Sequence, residues 1–314
     1  MAGSADVAVW SVPLRTRFRG VDRREGVLLR GAAGWGEWSP FWDYDDRECR
    51  PWLAAAREAA DTGWPAPVRD RIPVNVTVPA VGPEQAAAVV RASAGCRTAK
   101  VKVAEPGQSL ADDLARVEAV RDALGATGMV RVDANGAWDV DAAVVAVRAL
   151  DRFGLEYVEQ PCRTVEELAA VRRRVDVPVA ADESIRRAED PLRVARLGAA
   201  DIAVLKVQPL GGVAACLRVA EQVGLPVVVS SALETSVGIA AGLALAAALP
   251  ELPYACGLAT LQLFDGDVTT APLVVVDGEL PVLRPEPDAV PSADATTTDR
   301  WLARLRAVEN LAQA

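Results

Sequence analysis

From Ile72 onward the chain alternates short apolar runs with Ala-rich segments of helical period, and this alternation limits the possible folds more than any other feature. Strands read at Ile72–Val78, Ala99–Val103, Val130–Asp133, Tyr157–Glu159, Val179–Asp182, Ile202–Lys206, Val227–Ser230 and Tyr254–Gly257. Helical patterns fall between them at Pro83–Ser93, Leu110–Leu124, Val140–Phe153, Val165–Val175, Asp190–Leu197, Val213–Val223 and Ser236–Leu249. A βα unit repeating about every 25 residues implies a parallel sheet, and eight such strands imply closure into a barrel. An open doubly wound sheet is the alternative, but no Gly-x-Gly-x-x-Gly follows the first strand.

Residues 1–71 differ in texture and hold six of the eight tryptophans: Trp10, Trp35, Trp38, Trp42, Trp52 and Trp64. Strands at Val7–Pro13, Gly26–Arg30 and Gly34–Trp38, then a helix over Asp45–Thr62, predict a small α+β unit. The arginine-rich Leu14–Glu25 reads as a loop over a site, with a plain solvated connection as the alternative. After Gly257, β-like pieces at Leu273–Val276 and Glu279–Val282 are expected to return to the N-terminal unit, before a helix over Asp299–Leu311. The expected fold is therefore α/β: a modified (β/α)7β TIM barrel over 72–258, with an α+β capping domain formed by 1–71 and part of 259–314.

Ionisable residues gather at the C-terminal ends of these strands, the face where barrel enzymes carry their chemistry. In Thr98-Ala99-Lys100-Val101-Lys102-Val103, Lys100 and Lys102 share one side of a strand. If the apolar residues pack outward, both ammonium groups enter the barrel and at least one pKa should fall, giving a usable base. An edge strand with two solvent-facing lysines fits the same alternation. Asp133, Glu159 and Asp182 end three successive strands, with Asn135 and Glu183 close by and Lys206 one strand further on. Three converging carboxylates repel unless a cation joins them, and an all-oxygen set selects Mg²⁺, with Mn²⁺ as a substitute. Each acid alone would serve as a cap or turn residue, but chance would not bring five such residues to consecutive strand ends.

Composition removes most other chemistries. With no histidine in 314 residues, Ser-His-Asp and Cys-His catalysis and His-ligated zinc are excluded. A net charge of −9 argues against nucleic acid and anionic membrane as partners, and a cation on the converging carboxylates would clamp a small-molecule carboxylate substrate. Five scattered cysteines without a Cys-x-x-Cys pair, and no basic segment leading an apolar one at the start, fit a cytoplasmic protein. The apolar run Val237–Leu249 is too short to span a bilayer and reads as a buried helix. Oligomeric state is left open.

The motifs Lys100-Val101-Lys102, Asp133-Ala134-Asn135, Glu159-Gln160-Pro161, Asp182-Glu183-Ser184 and Leu205-Lys206 resemble the enolase superfamily, in its muconate-lactonizing-enzyme-like subgroup. The resemblance covers nearly the whole chain. It implies that Lys102 is the base, that Lys100 lowers its pKa, and that Asp133, Glu159 and Asp182 hold Mg²⁺. Lys206 then lies on the opposite face of the substrate, and the ion stabilises the enediolate formed when the α-proton leaves, a superfamily pattern. Phe18-Arg19-Gly20-Val21 running into Arg24–Arg30, and Gly34–Glu37, are similar to the o-succinylbenzoate synthase family in its actinobacterial form, and Ser230–Thr235 resembles the subgroup's seventh strand end. That likeness implies dehydration of 2-succinyl-6-hydroxy-2,4-cyclohexadiene-1-carboxylate in menaquinone biosynthesis. Arg19 is the candidate for the succinyl carboxylate, and the Ser230/Ser231 strand end offers backbone N–H groups to the same carboxylate. N-succinylamino acid racemase and dipeptide epimerase activity would use the same parts. A catalytically inactive barrel acting as a binding protein is the alternative of another class, and it would have no reason to keep buried like charges.

Overall fold

The N-terminal sheet is an antiparallel meander of β1 (Val7–Phe18), β2 (Val21–Gly31) and β3 (Gly34–Trp38) in a computed structural model that describes residues 7–18, 20–187 and 190–313. Leu14–Glu25 is not a loop: β1 and β2 run on through it, and Phe18 pairs with Val21 at the hairpin tip. Trp10, Val12 and Leu14 are buried on one face while Arg15 and Arg17 are exposed on the other, so the period of two persists beneath the arginines. The helix α1 (Cys49–Arg57) lies flat on β3. A Cβ on Gly36 would stand 2.0 Å from the carbonyl oxygen of Ala56, so only glycine allows this approach.

The next strand is split in two. β4 (Arg71–Pro73) pairs antiparallel with β12 (Glu279–Pro281), so the C-terminal piece returns to the barrel's entry strand and not to the N-terminal sheet. The parallel sheet begins at β5 (Val76–Val78), followed by α2 (Pro83–Arg91), β6 (Thr98–Lys102), α3 (Leu110–Leu124), β7 (Met129–Asp133) and α4 (Val140–Leu150). It continues with β8 (Leu155–Glu159), α5 (Val165–Arg172), β9 (Val179–Ala181), and the short turns α6 (Glu183–Arg186) and α7 (Arg193–Arg196). The helix expected over Asp190–Leu197 is thus reduced to one turn. β10 (Ile202–Leu205), the short α8 (Val207–Leu210), α9 (Val213–Val223), β11 (Val227–Val229) and α10 (Ser236–Ala248) complete the run.

Strands β5 to β11 lie side by side in sequence order. Cys256 and Gly257 stand in for the eighth strand. Asn75 N–H donates to Cys256 O at 2.9 Å and Cys256 N–H to Pro73 O at 2.7 Å; Gly257 N–H donates to Val229 O at 2.8 Å on the other side. These bonds join the two sheet edges and close the ring.

Val, Ala and Leu from the outer strand faces and the helices form one large core, and Tyr157, Ala180, Ile202, Val204 and Val228 pack inside the barrel. A separate aromatic core joins the N-terminal sheet, α1 and α11 (Ala295–Gln313) to the barrel loop at Ala232, Leu233 and Val237. Helix α10 is buried along its whole length through Ala247, as its apolar sequence required. Among the described residues no helix is long and apolar enough to cross a membrane.

Candidate active site

Register builds the site. Lys102 pairs with Asp133 and Asp133 with Glu159 across β6, β7 and β8, so one inward row carries all three. One layer deeper, Lys100 pairs with Arg131 and Arg131 with Tyr157. The two sequence lysines therefore do enter the barrel. Lys100 Nζ donates to Glu159 at 3.1 and 3.2 Å and lies 3.7 Å from Asp133. Lys102 Nζ donates to Asp133 at 2.5 Å and to Asn135 Oδ1 at 2.7 Å. Lys206, following β10, donates to Asp182 at 2.7 Å, and Arg186 binds the other oxygen of Asp182 at 2.9 Å.

The loops after β7 and β8 are conformationally strained where they hold these groups. Asn135 (φ +47°) and Gln160 (φ +41°) both adopt the left-handed region without being glycine. Asn135 N–H donates to Asp133 Oδ1 at 3.0 Å. Gln160 Oε1 accepts from Asp182 N–H at 3.0 Å and Ser184 N–H at 3.2 Å, and its Nε2 donates to Cys162 O and Ser184 Oγ at 2.8 Å. The side chain of Gln160 thereby ties the strand end of Glu159 to that of Asp182.

The electrostatics follow from burial against mutual charge. Burial, then Asp133, pushes Glu159 up to about 7, against the pull of Lys100. Burial also works to raise Asp133, but Lys102 and Lys100 hold it down at about 2. Asp182 is lowered against burial by Arg186 and Lys206. Lys100 does not fall: burial pulls it down, but Glu159 and Asp133 outweigh that and hold it above the ordinary lysine value. Lys206 is lowered by burial, against the opposing charge of Asp182.

Asp133, Glu159 and Asp182 are all buried and offer only oxygen, a donor set that fits a hard divalent cation. Among the described residues no three acidic or sulfur-bearing groups already stand as a ligand cluster. The carboxylate oxygens are engaged instead by Lys100, Lys102, Lys206 and Arg186, whose contacts an ion at this point would displace.

Lys100, Lys102, Asn135, Arg186 and Lys206 line a cavity of about 30 Å³, together with Phe18, Thr77, Ser230, Ser231 and Leu233. The Phe18 ring lies over Lys102, its centroid 5.5 Å from Nζ. Thr77 and Arg186 were not singled out in the sequence, and Phe18 entered only as part of a family motif. Thr77 is paired with Lys100 and shares its inward face, and Arg186 stands four residues after Asp182; those were the available signals. The N–H groups of Ser230 and Ser231 do not offer themselves to a ligand, since they donate to Leu205 O and Gly257 O in the barrel ladder. Ser231 reaches the wall through its hydroxyl, 2.8 Å from that of Thr260. Arg19 lies outside the described residues.

The family described as Enolase C-terminal domain-like matches residues 83–288, and Enolase N-terminal domain-like matches residues 9–60. An o-succinylbenzoate synthase of Thermobifida fusca is 69% identical over 299 residues, 95% of this chain and 94% of that protein. The o-succinylbenzoate synthase of Mycolicibacterium smegmatis is 60% identical over 281 residues, 89% and 86% of the two chains. Muconate lactonizing enzyme from Pseudomonas fluorescens shares the fold with a TM-score of 0.78 at 23% identity, over 94% of this chain and 97% of that one. The chain belongs to the enolase superfamily and, within it, to the o-succinylbenzoate synthase family.

Proposed function

We propose that this protein dehydrates 2-succinyl-6-hydroxy-2,4-cyclohexadiene-1-carboxylate to o-succinylbenzoate, a hydro-lyase step toward menaquinone. The observation that carries the reading is the inward row Lys102–Asp133–Glu159, with Lys206 on Asp182 two strands beyond. Enolase superfamily enzymes use a divalent metal; here Asp133, Glu159 and Asp182 would hold Mg²⁺, or Mn²⁺ in its place. When bound, that ion supplies positive charge to the substrate carboxylate as the α-proton leaves.

Lys102 takes the α-proton at its Nζ, which lies on the cavity wall. The carbon–oxygen bond to the ring hydroxyl then breaks, and the proton passes from Lys102 to the leaving oxygen, releasing water and an aromatic ring. Lys206 contributes its charge to the electron-rich ring from the opposite side. Lys100 sets its positive charge against the burial of Glu159 and Asp133. The hydroxyls of Ser230 and Ser231 line the wall where the succinyl group would lie.

The cavity, about 30 Å³, is far below the size of this substrate. Phe18, Lys102 and Asn135 stand between it and a surface pocket of about 490 Å³. Substrate entry therefore requires this wall to open. The presence of two lysines on opposed strands also favours a second reading, racemisation of N-succinylamino acids or dipeptides. Incubation of the wild type with the cyclohexadiene substrate and Mg²⁺ decides between them. Rapid, chelator-sensitive loss of the diene absorbance supports the synthase. No loss, with α-proton exchange into N-succinylamino acids in D₂O, overturns it.

A further inference from the structure

Two buried carboxylates of the capping domain side of the molecule, Glu37 and its neighbour in space Glu234, have no part in the chemistry above. One oxygen of Glu37, on β3, accepts from the N–H groups of Thr235 and Gly238, both at 3.1 Å, and from the Thr235 hydroxyl. The other accepts from Ser39 Oγ at 2.7 Å. Thr235 and Gly238 carry the free N–H groups at the start of α10, so this helix is capped by a carboxylate from another domain. A Cβ on Gly238 would lie 2.9 Å from that carboxylate, so the glycine admits the close approach.

Arg24, on β2, completes the attachment. Its Nε donates to Leu233 O at 3.0 Å and its Nη2 to Ser39 O at 2.6 Å. Leu233 itself has φ +68°, a conformation that a leucine keeps only under constraint. Glu234 closes the loop on itself, both its oxygens accepting from Ala232 N–H at 2.8 Å. The segment that lines the catalytic cavity from Ser230 to Leu233 is thus gripped at its far end by two side chains of the N-terminal sheet.

We propose that Arg24 and Glu37 are positioning residues that set the Ser230–Leu233 wall, and with it the fit of the substrate's succinyl end. They act on binding and leave proton transfer to the lysines. The inference rests on the reading of the cavity given under Proposed function.

The test uses the full chain with Mg²⁺ in three variants, Arg24→Lys, Glu37→Gln and Thr235→Val, each checked for folding by circular dichroism. Steady-state turnover is measured beside binding of the product, o-succinylbenzoate, by tryptophan fluorescence. In Arg24→Lys, KM and the product Kd rise about tenfold while kcat stays within about threefold. Glu37→Gln, which keeps one acceptor oxygen, gives a smaller rise in the same direction. Should Arg24→Lys fail to fold, Thr235→Val removes only one hydroxyl and carries the prediction at about threefold. Folded variants with KM and Kd at the wild-type value, or with kcat lowered at unchanged KM, overturn the inference. A wild type that neither turns over the substrate nor binds the product overturns the reading of the cavity itself.

Discussion

Replacing Lys100 by methionine in chelator-treated protein probes the buried charge row most sharply. Its Nζ lies 3.1 Å from one Glu159 oxygen, and at an effective dielectric of about 20 such a pair interacts by about 5 kcal/mol, roughly four pH units on the glutamate titration. Even with Lys100 present, burial and Asp133 push Glu159 up to about 7. Without the ammonium, native Glu159 keeps its proton to much higher pH, while both unfolded chains titrate alike near the ordinary glutamate value. Below pH 7 Glu159 is protonated in both native proteins, so the stability difference between them is flat. Above pH 7 the native variant binds more protons than the native wild type, and its deficit grows by about 1.4 kcal/mol per pH unit. Guanidinium unfolding at pH 7 and pH 9 should show the gap widening by about 2–3 kcal/mol. A gap that stays constant or narrows would refute the argument that Lys100 is what keeps Glu159 ionised.

Other consequences are independent of that one. Adding Mg²⁺ to chelated protein should raise the melting temperature, by about 2.7 kcal/mol of stability at a hundredfold excess over Kd; no shift at millimolar metal would favour an inactive barrel. Gly238→Ala, normally favourable in a helix, should instead destabilise by about 1–3 kcal/mol, because its Cβ would meet Glu234 Cβ at 2.4 Å. A melting temperature at or above that of the wild type would contradict this. All five cysteines are free and buried; burial pushes Cys96 up to about 11 and Cys49, Cys162 and Cys256 up to about 12. A thiol reagent at pH 8 should therefore react only as the protein unfolds, and a fast-reacting native thiol would contradict that.

The site was legible in the sequence where it depends on local period and strand order. Lys100, Lys102, Asp133, Glu159 and Asp182 are inward positions at strand ends, and the register of β6, β7 and β8 brings the first four of them together as the alternation required. What escaped depends on contacts between distant parts of the chain. Arg24 and Glu37 reach a loop about two hundred residues later, and nothing local marks either as buried. Leu14–Glu25 was misread because arginines on the exposed face hide the apolar alternation of Trp10, Val12 and Leu14 continuing toward Phe18. The pairing of β12 with β4 was missed because a three-residue strand with one buried side chain does not specify which open edge it will join. Lysine titration was read from burial and the neighbouring ammonium, without the carboxylates. Those carboxylates reverse the shift of Lys100, while burial lowers Lys206.

The central claim is that Lys102 moves the proton, and a single comparison tests it most directly. Wild type and Lys102→Ala are given the cyclohexadiene substrate with Mg²⁺, and loss of the diene absorbance is followed alongside fluorescence binding of o-succinylbenzoate. The account predicts at least about a thousandfold loss of turnover in a variant that still folds and still binds the product. Turnover within tenfold of the wild type would contradict it.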